Sequence, residues 1–104
     1  MNWNEPKIER LVTAFLTLET IDQTKRFLRD LMTEKEIGEF SRRLKAAEML
    51  DMGTTYAAVE KETGLSSTTV ARVAKWLQGK EGGYKTILNK LHHHETVRSR
   101  RGLS

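Results

Sequence analysis

The sequence contains no cysteine. A disulfide framework, a thiolate zinc site and a thiol nucleophile are therefore excluded at once. Proline occurs once and glycine seven times in 104 residues, which argues against a linker-rich or all-β chain. Hydrophobic residues make up 38% and aromatic residues only 7%. No apolar run approaches the roughly 18 residues that a membrane span requires. The opening segment, MNWNEPKIER, lacks the basic start and apolar block of a secretory signal. A cytoplasmic protein with no membrane partner is expected. No Ser-His-Asp arrangement, no framed pair of catalytic carboxylates and no phosphate-cradling glycine loop occurs, so enzymatic activity is not expected. Neither is a metal or a resident cofactor.

What is present is charge, unevenly placed. The formal net charge is +4. Residues 1–40 are net −2, and residues 41–104 are net +6. A basic half favours polyanion partners, because neutralising phosphates releases counterions. The plainer reading of the same charge is a solvated surface.

The apolar residues recur at helical spacing. Residues 5–19 are predicted as a helix, with Asn4 as cap, Pro6 in the first turn, and Ile8, Leu11, Val12, Phe15 and Leu16 as one stripe. A second helix is predicted over 22–31, capped by Asp22, with Phe27, Leu28 and Leu31 inward. Thr33 and Glu36 have capping-box spacing and open a long helix over about 34–52. In it Ile37, Phe40, Leu44, Ala47 and Leu50 follow the 3–4 step, and Gly53 ends it. Trp3 and Phe15 are expected in the core. Three such stripes carry more apolar surface than one short bundle can bury. A homodimer with interlocked N-terminal helices is therefore favoured over a monomeric bundle.

The run YAAVEKETGLSSTTVARVAKW, residues 56–76, has helix-turn-helix layout. Thr54 or Thr55 caps its first helix, and Val59 packs that helix on the second. Gly64 takes the turn position where φ > 0 costs only glycine nothing. Leu65 plugs the gap, Ser66 caps the second helix, and Val70 and Val73 face the core. Ser67, Thr68, Ala71 and Lys75 are left outward, near the start of the second helix, where a recognition helix meets base edges. The expected DNA-binding set is Ser66, Ser67, Thr68, Thr69, Ala71, Arg72, Lys75 and Lys61. Ser66 and Ser67 also sit where helix N–H groups can hold a phosphate. Glu60 departs from the usual pattern, because a small residue normally stands where the two helices cross. Gly79 closes the second helix and residues 80–83 form a hinge. A last helix is predicted over 84–91, with Ile87, Leu88 and Leu91 inward.

Residues 32–77 resemble the Trp repressor family, and more closely its Trp-repressor-related branch, whose members mostly lack an assigned ligand. The resemblance rests on LMTEKE at 31–36, SRRLKAAEML at 41–50, the glycine at 53 and TGLSSTTVARV at 63–73. It implies an all-α fold of about six helices, with helix-turn-helix heads on an intertwined homodimer core. It also accommodates Glu60, since family members often carry a large polar residue there. The implied organisation is a single domain over 1–91: dimerisation helices in 1–53, the helix-turn-helix in 54–79, and a C-terminal helix in 84–91. A disordered basic tail follows over 92–104, including His92, His93, His94, Arg98, Arg100 and Arg101.

The resemblance further implies an amino-acid corepressor flanked by two arginines, which fall on Arg43 and Arg72. A guanidinium fork pairs a carboxylate bidentately. Val73 and Trp76 replace the small residues that complete the family's slot. Val73 narrows it and the Trp76 indole fits inside it. Two outcomes stay open. Either an amino-acid-like effector other than tryptophan binds at Arg43, Arg72, Val73 and Trp76, or the slot fills itself and DNA binding is constitutive. The expected function is a bacterial DNA-binding transcriptional regulator, most simply a repressor, whose partners are double-stranded DNA and a second copy of the chain. A helical module that uses the same surface for protein or RNA is the alternative.

Overall fold

The computed structural model describes the backbone of residues 1–102 and the side chains of residues 1–94. Among the described residues there are six α-helices and no strand: α1 (Pro6–Leu16), α2 (Ile21–Leu31), α3 (Glu34–Asp51), α4 (Tyr56–Thr63), α5 (Ser67–Leu77) and α6 (Gly83–Gly102). No helix is long and apolar enough to cross a membrane among these residues. The chain falls into two compact units, Met1–Ile37 and Gly38–Ser104, with the boundary inside α3.

The first unit is built from α1, α2 and the start of α3. Its starts are set by side-chain capping, though two caps differ from expectation. Glu5, not Asn4, caps α1, and its carboxylate accepts from the N–H groups of Lys7 and Ile8 at 3.2 Å each. The longer side chain reaches both donors. Thr20, not Asp22, caps α2 by accepting from Gln23 N–H at 3.0 Å. Asp22 instead pairs with Arg26 one turn on, at 2.8 Å. The capping box of α3 forms as expected. Glu36 N–H donates to Thr33 Oγ1 at 3.1 Å, and Thr33 N–H donates to Glu36 Oε1 at 3.0 Å. These bonds hold the Glu36 carboxyl below its ordinary pKa, the Thr33 backbone N–H contributing most and its hydroxyl next.

Packing in this unit is thin. Phe15 of α1 meets Phe27 of α2 edge-on, with centroids 5.5 Å apart. No residue of Met1–Ile37 is buried. Phe27 and Leu28, expected inward, are half-buried, and Leu31 is exposed. Leu16 is 81% exposed and Ile21 71%. The apolar stripes exist, but the chain does not cover them itself. Trp3 and Phe15, expected in the core, are likewise exposed.

The second unit has a closed core. Ala46 and Ala47 of α3, Val59 of α4, Val70, Val73 and Leu77 of α5, and Leu88 of α6 form one buried cluster. Leu44, Met49, Leu50, Leu65 and Tyr84 pack around it. The end of α3 is followed by Gly53 at φ 87°, a left-handed turn that needs glycine. An ion pair from Lys85 Nζ to Asp51 Oδ1 joins α6 to the last turn of α3.

Helix α6 corrects the expected 84–91 helix and disordered tail, and of the residues expected inward on it Leu88 is buried while Ile87 and Leu91 are exposed. Its helical backbone continues to Gly102, and His92, His93 and His94 lie on it. No proline or glycine interrupts 84–101, and polar residues cost a helix only a few tenths of a kcal/mol each. Polarity alone therefore does not end a helix. The side chains of Arg98, Arg100 and Arg101 lie outside the described residues, as do residues 103–104 altogether.

Candidate nucleic-acid interface

The residues expected at a nucleic-acid interface are carried by α4, the turn at 64–66, and α5. Thr55 caps α4 by accepting from Ala58 N–H at 3.2 Å. At the other end Gly64 adopts φ 72° and its N–H donates to Glu60 O at 2.8 Å. A residue with a Cβ would be strained in that conformation. Thr63, just before it, is buried, and its hydroxyl donates to Val59 O at 2.7 Å and accepts from Leu65 N–H at 3.3 Å. This hydroxyl staples the turn from inside. Sequence reading missed it, although a Thr directly before the turn glycine is the available signal.

Ser66 caps α5 as expected, accepting from Thr69 N–H at 3.2 Å. Its hydroxyl also bonds the Thr69 hydroxyl at 3.0 Å. Both members of this pair serve the helix start, and Thr69 is half-buried. The outer face of α5 is therefore Ser67, Thr68, Ala71, Arg72, Lys75 and Trp76, all exposed. The inner face is Val70, Val73, Ala74 and Leu77, all buried. Spacing of three and four produces this clean division. Lys61 is exposed in the last turn of α4. Glu60 is half-buried beside Val59, which lies fully buried in the core.

The residues expected around an effector are placed differently from one another. Arg43 lies on α3, where its guanidinium pairs with Glu39 Oε1 at 2.9 Å and stands 5.7 Å from the Phe40 ring centroid. Its Nε is buried with no hydrogen-bond partner among the described residues. Arg72 is exposed on α5, Val73 sits in the core, and Trp76 is 54% exposed. No hydrogen bond or ion pair joins Arg43 to the other three among the described residues.

A short capped helix, a left-handed glycine turn and a second helix with an exposed hydroxyl-and-cation face define a helix-turn-helix protein. The chain matches the Trp repressor protein family over residues 6–92, and it belongs to that family. It is 34% identical over 93 residues to the uncharacterised protein YerC of Bacillus subtilis, covering 89% of each chain. Among solved structures it resembles a candidate Trp repressor from Staphylococcus aureus, with 36% identity and a TM-score of 0.80, covering 88% of this chain and 95% of that one. A TrpR-like protein from Eubacterium eligens is similar too, with 32% identity and a TM-score of 0.79 over 86% and 93% of the two chains.

Proposed function

We propose that this protein is a sequence-specific DNA-binding repressor that acts as a homodimer on a two-fold operator. The observation that carries the reading is the exposed face of α5, where Ser67, Thr68, Ala71, Arg72 and Lys75 all face outward over a closed core. Ser67 and Thr68 lie at the helix start, which enters the major groove. Arg72, Lys75 and Lys61 supply phosphate contacts. The reading side chains are short, so water and DNA shape share in specificity. The uncovered stripes of α1 and α2 support a second copy as the other partner. The basic composition from residue 41 onward suits a polyanion.

The test is binding to duplex DNA from the gene's own upstream region across a salt series. Log affinity is expected to fall steeply with log salt. Thr68→Glu is expected to abolish binding by phosphate repulsion while the dimer stays folded. Intact affinity in Thr68→Glu overturns the recognition-helix assignment. Tighter binding to duplex RNA than to DNA would favour the RNA module instead.

The buried, unpartnered Nε of Arg43 favours a second reading, that an acceptor from a carboxylate effector completes this site. A melting-point screen against the proteinogenic amino acids at millimolar concentration tests it. A shift with one of them identifies the effector, and no shift with any identifies a constitutive binder.

A further inference from the structure

Trp76 is a large apolar side chain held 54% in solvent on a helix whose inner face is otherwise fully used. The described residues give its indole N–H no acceptor and its ring no stacking partner. Its neighbours on the helix are cationic. Arg72 stands one turn before it and Lys75 beside it, both exposed and neither ion-paired among the described residues. An aromatic bordered by free cations suits a polyanion with apolar sugar surface better than it suits an apolar protein groove.

The register adds a length argument. The outer face of α5 consists of two rows spaced by four residues: Ser67, Ala71, Lys75 and Thr68, Arg72, Trp76. At 1.5 Å per residue, Thr68 and Trp76 lie about 12 Å apart along the axis. The major groove is itself about 12 Å wide. With Thr68 at the base edges, the far end of its row arrives at the groove wall, which is sugar and phosphate.

We infer that Trp76 is a backbone-contacting residue of the DNA interface. Its indole N–H donates to a phosphate oxygen and its ring packs on the adjoining deoxyribose. The contact fixes how far α5 enters the groove, and it carries no base sequence itself. Trp76 thus belongs to the DNA side of the head rather than to an effector slot. This inference rests on the DNA-binding reading above.

The experiment uses the full chain and a duplex that the wild-type protein selects from a random-sequence pool. Trp3→Phe leaves Trp76 as the single tryptophan of the two. Adding the selected duplex is expected to change its emission and to shield it from acrylamide. Trp76→Phe keeps a ring but removes the N–H, and it is expected to weaken binding about tenfold, as loss of a hydrogen bond to a charged group does. In a set of duplexes each carrying a symmetric pair of neutral methylphosphonates, one per half-site, one is expected to bind wild type and Trp76→Phe equally. Unchanged Trp76 emission on a bound duplex, or undiminished affinity in Trp76→Phe, overturns the contact and leaves the DNA reading standing. A tenfold loss that persists at every methylphosphonate makes Trp76 merely structural and overturns it too. A wild-type protein that selects no duplex overturns both readings together.

Discussion

The two units of this chain solve the problem of apolar surface in opposite ways. Gly38–Ser104 closes a core on itself from four helices. Met1–Ile37 has stripes of equal regularity and buries no residue. The difference lies in partners and not in sequence quality. A helix pair offers one face to its neighbour, and two short helices cannot surround their own side chains. The second unit brings four helices to one core, with small residues such as Ala46 and Ala47 fully buried in it. Stability of the second unit should therefore belong to the single chain, and that of the first to the assembly.

The sharpest way to break this contrast is to damage the closed core. Val59→Asp places an unpaired carboxylate where no water reaches, and a loss of roughly 3–5 kcal/mol is expected. Circular dichroism should show the helix-turn-helix unfolded at any protein concentration, with DNA binding gone. Next comes Leu16→Glu in the first unit. If a second copy covers Leu16, the dimer weakens by about 2 kcal/mol, roughly thirtyfold in its dissociation constant. Sedimentation over a dilution series measures this. A change within about 0.5 kcal/mol would mean the stripe faces water and the contrast is false. Ser66→Ala removes one cap from α5 and should cost about 1 kcal/mol, seen as a lower melting temperature independent of concentration. The smallest effect concerns the capping box. Because the Glu36 carboxyl is held below its ordinary pKa in the folded state, its contribution is complete above the ordinary carboxylate range. It is lost as pH falls through the lowered value. Comparing acid titrations of melting temperature for wild type and Glu36→Gln should show the variant less sensitive in that window.

What the sequence makes legible is whatever one turn of chain decides. The Thr33–Glu36 box, the left-handed Gly64 and the Ser66 cap were each readable, because donor, acceptor and steric demand lie within four residues. The caps of α1 and α2 were misplaced by one or two residues. There several short polar residues compete, and the winner depends on reach: the Glu5 carboxylate spans two N–H groups, while Asp22 is claimed by Arg26. The end of α6 is not legible because polar residues are as compatible with an exposed helix as with irregular chain. Burial was readable in the head and unreadable before it. Val59, Val70 and Val73 are closed over by their own chain, whereas Phe27 and Leu28 are only half-covered and Leu31 is left exposed. The candidate site divides likewise. The outward face of α5 follows from helical period alone, but the surroundings of Arg43 and Trp76 depend on contacts that no local spacing encodes.

The core of the head is made almost wholly of alanine and valine where α3, α4 and α5 meet. That composition separates two kinds of inheritance. Inside, Ala46, Ala47, Val59, Val70 and Val73 leave little room, so larger residues at those positions are opposed by close packing. Outside, Ser67, Thr68 and Ala71 bear none of that constraint. Substitutions on that outer face can therefore change what the head presents, one short side chain at a time, without changing how it folds.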